Sequence, residues 1–131
     1  MTKAIEQLYQ DIGREAVALA KGRTGKLLIY AEVEHGVISA DVFYVSKPDG
    51  RVRYRRCSEH PRDLIYKLWE RWQKVRGNKE WRIMEYVVEG EGFTLDFTYP
   101  DQIDEREDVS DRRPRSVKKH FGEVKVDFSN P

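Results

Sequence analysis

Cys57 and His60 are the residues whose types and spacing come closest to a reactive site. A Cys-x-x-His spacing supplies half of a zinc site, and a thiol beside an imidazole can act as a nucleophile, helped by the charge of Arg56. His35 and His120 stand alone in the sequence, so no second pair completes a metal site. No third orienting group or oxyanion-hole loop accompanies the cysteine. We therefore predict that the protein is not an enzyme and holds no metal or cofactor, with Cys57 and His60 as the pair on which a small enzyme would depend.

Carboxylates concentrate in the last third of the chain and form a second group of candidates. Six of them lie between residues 101 and 111: Asp101, Asp104, Glu105, Glu107, Asp108 and Asp111. A seventh, Asp96, lies on the polar face of a predicted strand. An acidic surface can occupy the basic groove of a nuclease, and opposite potentials speed association. We predict that these seven residues bind a partner; the alternative is an ordinary solvated surface.

Arginines dominate the segment 51–56 and suggest a different function. Four of its six residues are arginines: Arg51, Arg53, Arg55 and Arg56. On one strand they could contact phosphates, which makes a nucleic-acid-binding module the alternative function. They could instead pair with carboxylates of neighbouring strands, namely Glu32, Glu34 and Asp41. Trp69, Trp72 and Trp81 could stack bases, but they fall at positions where core packing is expected.

Charge is strongly segregated along a chain whose formal net charge is only +1. Residues 51–82 hold eleven basic and four acidic residues, a net charge of +7. Residues 83–111 hold one basic and ten acidic residues, a net charge of −9. Two surfaces of opposite sign on a nearly neutral protein favour association with a charged macromolecule.

The length of 131 residues is usual for one domain, with 39% hydrophobic and 36% charged residues. No apolar run is long enough to span a membrane, and residues 1–4 lead into an amphipathic pattern and not into a secretory segment. One cysteine is consistent with a reducing compartment. We expect a soluble cytoplasmic protein with a domain at residues 1–100 and a charged C-terminal arm at 101–131, belonging to the same domain.

Hydrophobic periodicity predicts an α+β fold with the order α-β-β-β-α-β-β, followed by the arm and a short strand. The helices are predicted at 3–21 and 61–76, and the strands at 26–34, 37–46, 51–56, 80–88, 93–99 and 122–128. Short hairpin connections favour an antiparallel sheet of five to six strands, with both helices on one face. Residues 101–120 are polar, with Ile103 and Val109 as weak anchors, so a solvated arm and a short helix both stay open.

Several phrases, in this order, resemble the YezG-type immunity (antitoxin) family of bacterial polymorphic toxin systems. The resemblance covers residues 3–101. It rests on Ile5–Gln10 in the first helix, Ile29–Val33 and Val42–Tyr44 in the first two strands, the tryptophans of the second helix, Trp81, and the closing phrase Gly92–Tyr99.

The resemblance implies a small cytosolic protein that binds a cognate toxin, typically the C-terminal nuclease domain of a secreted protein, without a cofactor. It implies no particular binding residue, and Asp96 matches as part of the fold signature. After Pro100 this chain departs from the family pattern, so the arm is either a structural addition or a partner-specific surface. We expect no membrane contact, no direct nucleic-acid binding, and a monomer or a homodimer formed through an edge strand.

Overall fold

A computed structural model describes residues 2–20, 24–34, 36–46, 49–90 and 92–128. The fold is α+β, as predicted. The helices are α1 (Thr2–Leu19), α2 (Glu59–Gln73) and α3 (Val109–Phe121), and the strands are β1 (Thr24–Glu34), β2 (Val37–Ser46), β3 (Val52–Arg56), β4 (Ile83–Glu89), β5 (Gly92–Thr98) and β6 (Val126–Asp127). A short 3-10 turn covers Pro100–Gln102. Residue 21, the predicted end of the first helix, and His35 lie outside the described residues.

The six strands form one sheet in the order β5-β4-β1-β2-β3-β6. The first five pair antiparallel, whereas β6 pairs parallel with β3. The sheet is therefore mixed and not purely antiparallel. A parallel pair needs a long crossover, and the chain between β3 and β6 includes α3, which crosses the sheet. The strand predicted at 122–128 is reduced to Val126–Asp127. Gly122, at φ 79°, ends α3.

The larger hydrophobic core lies on the sheet face covered by α1 and α2. Alternate residues of β1, from Leu27 to Val33, point to this face, as the period of two predicts. Trp81 is fully buried there, while Trp69 and Trp72 are partly buried against the core. The indole nitrogen of Trp69 donates to the Trp81 carbonyl at 2.8 Å, and that of Trp72 donates to the Lys79 carbonyl at 3.0 Å. The tryptophans therefore pack, as expected.

The opposite face of the sheet is covered by α3, so the prediction that the helices lie on one face is incomplete. Val117 packs on Leu28, Tyr30 and Phe43, and the weak anchors Ile103 and Val109 join this second cluster, together with residues from β3 and β4. Two features hide this helix in the sequence: it is mostly polar, and it contains Pro114, which cannot donate a helical hydrogen bond.

Asp108 and Asp111 determine where α3 begins. The Asp108 carboxylate accepts a hydrogen bond from the Ser110 amide at 2.9 Å. The Asp111 carboxylate accepts one from the Asp108 amide at 3.0 Å. This reciprocal capping box satisfies amides that have no partner inside the helix. Among the described residues, no helix has the length and apolar character needed to cross a membrane.

Candidate partner-binding surface

Three buried carboxylates on the second sheet face hold α3 in place: Glu32 of β1, Asp41 of β2 and Glu85 of β4. Each side chain is less than a tenth exposed. Their proximity follows from register, because Tyr30 pairs with Asp41 on one side and with Glu85 on the other. A buried carboxylate is costly unless it is paired, so the helix above must supply partners.

Arg112 supplies the partner of Glu32. Its Nε and Nη2 atoms donate to the two carboxylate oxygens at 3.0 and 2.8 Å, in the bidentate geometry that arginine favours. The Tyr30 hydroxyl also donates to Glu32, at 2.5 Å. Burial and then Glu32 raise the pKa of Tyr30, and the hydrogen bond to Glu32 raises the pKa of Arg112. The tyrosine therefore stays neutral and the arginine charged at physiological pH.

Asp41 and Glu85 have partners of the same kind. Arg113 donates to Asp41 at 2.9 Å, and the Tyr54 hydroxyl donates to its other oxygen. Burial and then the bond to Asp41 raise the pKa of Tyr54 to about 12. The Glu85 carboxylate has three hydrogen-bond partners on α3, at 2.7, 2.8 and 3.3 Å: Ser116, His120 and Lys119.

The possible pairing of Glu32 and Asp41 with the arginines of 51–56 is not found among the described residues. Glu32 and Asp41 bind α3, and Glu34 binds Arg82 at 3.0 Å. On β3, Val52 and Tyr54 occupy the face that carries these carboxylates, so alternation turns Arg53 away. Arg53 instead binds Asp49 at 2.7 Å and Asp127 at 3.2 Å.

Some carboxylates of the acidic segment 101–111 stabilise the fold, and others are exposed. Asp104 pairs with Arg106 at 3.0 Å, and Glu107 pairs with Arg115. Asp108 and Asp111 cap α3, as described above. Asp101 and Glu105 are exposed, and in the described part of the chain their side chains have no hydrogen bond or ion pair. These two are the carboxylates best placed to contact a partner.

Residues within 105–109, together with the adjacent ends of β1 and β2, line a groove of about 730 Å³. Five carboxylates but only two guanidinium groups line it: Glu32, Glu34, Glu105, Glu107 and Asp108 against Arg82 and Arg112. Val37, which is 70% exposed, adds an apolar contact. We call this the acidic groove.

Sequence reasoning missed Glu34 and Val37 as members of the acidic groove. Their positions beside the predicted turn at 35–36 were the available signal, since hairpin ends are exposed. Of the seven predicted carboxylates, Glu105, Glu107 and Asp108 line the acidic groove, whereas Asp96, Asp101, Asp104 and Asp111 do not. Asp96 lies on the edge strand β5, where its carboxylate is 67% exposed and 3.6 Å from the Lys119 amine.

Cys57 and His60 do not form a pair of reactive groups. The thiol is buried, and burial, followed by the negative charge of Asp41, raises its pKa to about 12. The positive charge near the thiol does not lower its pKa, because desolvation outweighs that charge. His60 instead lies 3.1 Å from Glu15 of α1. Across the described ranges, no group of three or more histidine, cysteine or carboxylate side chains is placed to hold a metal ion.

No family model matches this chain, and a comparison with curated proteins found no match. The resemblance to YezG-type immunity proteins therefore stays a prediction from the sequence.

Proposed function

We propose that this protein is an immunity protein that acts in the bacterial cytoplasm, where it binds a cognate toxin and neutralises it. The target is a nuclease domain, and the mechanism is steric and electrostatic occlusion without catalysis by the immunity protein. The acidic groove is the observation that carries this proposal, because it combines excess negative charge with an exposed apolar residue. The resemblance of residues 3–101 to the immunity family supplies the class of partner.

The chemistry of the acidic groove suits the active site of a nuclease. Such a site is basic, since it must attract the phosphates of nucleic acid. Carboxylates at the rim of an interface mainly increase the association rate and select a partner of opposite charge. Val37 offers apolar area beside these charges, and apolar contact provides affinity that screening by salt does not remove.

The sharpest test reverses Asp101 and Glu105, because these charges can change without removing an internal partner. We expect Asp101→Lys/Glu105→Lys to slow association with the toxin domain by about tenfold or more at low salt. The toxin to use is the C-terminal domain of a secreted protein encoded next to this chain. Stopped-flow association measured over a range of salt concentrations gives the rate.

The matched control is Asp63→Lys/Glu70→Lys, which reverses two exposed carboxylates of α2 that have no side-chain partner in the described part of the chain. It changes the net charge equally but lies away from the acidic groove. If both variants slowed association equally, the cause would be the change in net charge and not the position of the charges. Full protection of cells by the folded Asp101→Lys/Glu105→Lys variant would remove Glu105 of the acidic groove and the neighbouring Asp101 from the mechanism.

The basic segment 51–56 gives less support to the alternative, a nucleic-acid-binding module. Arg51 and Arg53 lie within ion-pair distance of Asp127, and Arg53 also binds Asp49. Arg55 is half-buried and has interactions of its own. The strand therefore does not present a free row of guanidinium groups to a phosphate backbone.

A further inference from the structure

A second cavity, of about 550 Å³, lies where the ends of β2 and β3 meet the first turns of α2 and α3. Three arginines and one carboxylate line it: Arg56, Arg62, Arg113 and Asp41. Tyr54 and Cys57 line it as well. None of its three arginines lines the acidic groove. The cavity shares only Ser39 with the acidic groove among the described residues that line the two. We call it the arginine cavity.

Positive charge in this cavity exceeds what its single carboxylate can neutralise. Asp41 is already engaged by Arg113 and by the Tyr54 hydroxyl. Arg56 and Arg62 have no side-chain hydrogen bond or ion pair with any part of the chain that the structure describes. A guanidinium group carries five N–H donors, so the cavity holds two charged donor groups without an acceptor.

Three different elements bring the backbones of the arginines to the wall of the cavity. Arg56 ends β3, opposite Asp41 of β2 in the register. Arg62 lies in the first turn of α2, where its amide bonds the Ser58 carbonyl at 3.2 Å. The dipole of this helix adds positive potential at the same end. Arg113 is held on α3 by its bond to Asp41.

The neutral walls of the cavity leave this positive potential in place. The raised pKa values of Tyr54 and Cys57, both about 12, mean that neither is ionised at physiological pH. Asp41 is therefore the one negative group among the residues that line the cavity.

We propose that this cavity binds a phosphate group, with Arg56 and Arg62 as its main ligands and Arg113 completing the site. Two unpaired guanidinium groups match the charge of a phosphate dianion, and their fork geometry fits its oxygens. The volume exceeds that of one phosphate, so the group can be inorganic phosphate or the phosphate of a nucleotide. The proposal does not depend on toxin binding.

The test measures the thermal midpoint of the full chain against increasing inorganic phosphate, and separately against adenosine monophosphate. A ligand that binds only the folded state raises the midpoint with its concentration. Sodium chloride at matched ionic strength separates binding from screening. We expect saturable stabilisation by phosphate and none of that size by chloride. Tighter binding of the nucleotide would assign its phosphate as the ligand; equal or weaker binding would assign free phosphate.

Arg56→Gln/Arg62→Gln should weaken phosphate binding at least tenfold, and Arg56→Gln alone should weaken it in part. The control Lys67→Gln/Arg71→Gln removes the same charge from exposed positions of α2 and should bind as the unaltered protein does. Circular dichroism confirms folding, and the single variant, altered at an exposed side chain, tests the site if the double variant fails to fold. Equal stabilisation by chloride, or equal binding by the folded arginine variants, would overturn the proposal.

Discussion

Glu85 illustrates how single residues set the balance of charge inside this fold. Burial raises the pKa of its carboxyl, but hydrogen bonds from Ser116 and His120 and the charge of Lys119 outweigh burial, so the pKa is lowered from 4.5. A lowered pKa in the folded state means that the ionised carboxylate stabilises the fold. This contribution is complete above about pH 4.5 and is lost as the pH falls through the folded-state pKa.

Replacement of Glu85 tests this linkage. We expect Glu85→Gln to lower the free energy of unfolding at neutral pH by about 1–3 kcal/mol, since His120 and Lys119 lose a charged acceptor. Urea unfolding at decreasing pH should show the difference shrinking as the pH falls from about 4.5 through the folded-state pKa, where the carboxyl of the unaltered protein also becomes neutral. The control Glu89→Gln, at an exposed position of the same strand, should change little. A difference that persists unchanged at acid pH would contradict the assignment.

Gly13 provides a second test at the residue scale. Alanine normally stabilises a helix relative to glycine by about 1 kcal/mol. Here a Cβ atom at Gly13 would lie 2.5 Å from the Tyr86 hydroxyl oxygen, which donates to the Tyr9 carbonyl at 2.6 Å. We expect Gly13→Ala to destabilise by about 1–3 kcal/mol, as overpacking does.

The same substitution in a Tyr86→Phe background separates the clash from other effects. Without the hydroxyl, the nearest atom to the new Cβ is a ring carbon at 3.3 Å, so alanine should be neutral or stabilising there. Thermal unfolding of the four proteins completes the cycle. A loss of equal size in both backgrounds would rule out the hydroxyl as the cause.

At the scale of elements, α3 is unlike the other two helices. The core under α1 and α2 is apolar, whereas α3 sits on the sheet through Glu32, Asp41 and Glu85 as well as a small apolar cluster. The desolvation of buried ion pairs offsets much of their attraction, so such a contact stabilises little in total. The removal of one partner nevertheless lowers the stability strongly, because it leaves a buried charge without a counter-charge.

Arg112→Ala tests this distinction. We expect a loss of about 3–5 kcal/mol in the free energy of unfolding, because Glu32 is left buried and without its main partner. Arg112→Met/Glu32→Leu should recover most of that loss, since neither charge of this pair remains. Urea unfolding measures both variants. Arg115→Ala is the control, because its ion pair is 62% exposed on the arginine side and should contribute about 1 kcal/mol or less. A double variant as unstable as Arg112→Ala would contradict the argument.

At the scale of the whole molecule, separated charge matters more than the net value of +1. The acidic groove and the arginine cavity flank α3, and the helix contributes to both, through Arg112 and Arg113. Binding at both proposed sites therefore depends on the position of α3 on the sheet. The two sites would still select different ligands, because the acidic groove binds a basic protein through carboxylates and the arginine cavity binds phosphate through guanidinium groups.

The sequence by itself determined the elements of residues 1–100, because periods of two and 3.6 are local and repeat along each element. It also predicted the packing role of the tryptophans. Only the tertiary structure decided the place of α3, the parallel pairing of β6, and the membership of the acidic groove. Arg112 and Glu32 lie 80 residues apart, and an ion pair between distant residues leaves no periodic signal. The same reason hid the arginine cavity, whose charges meet only after β2, β3, α2 and α3 have packed together.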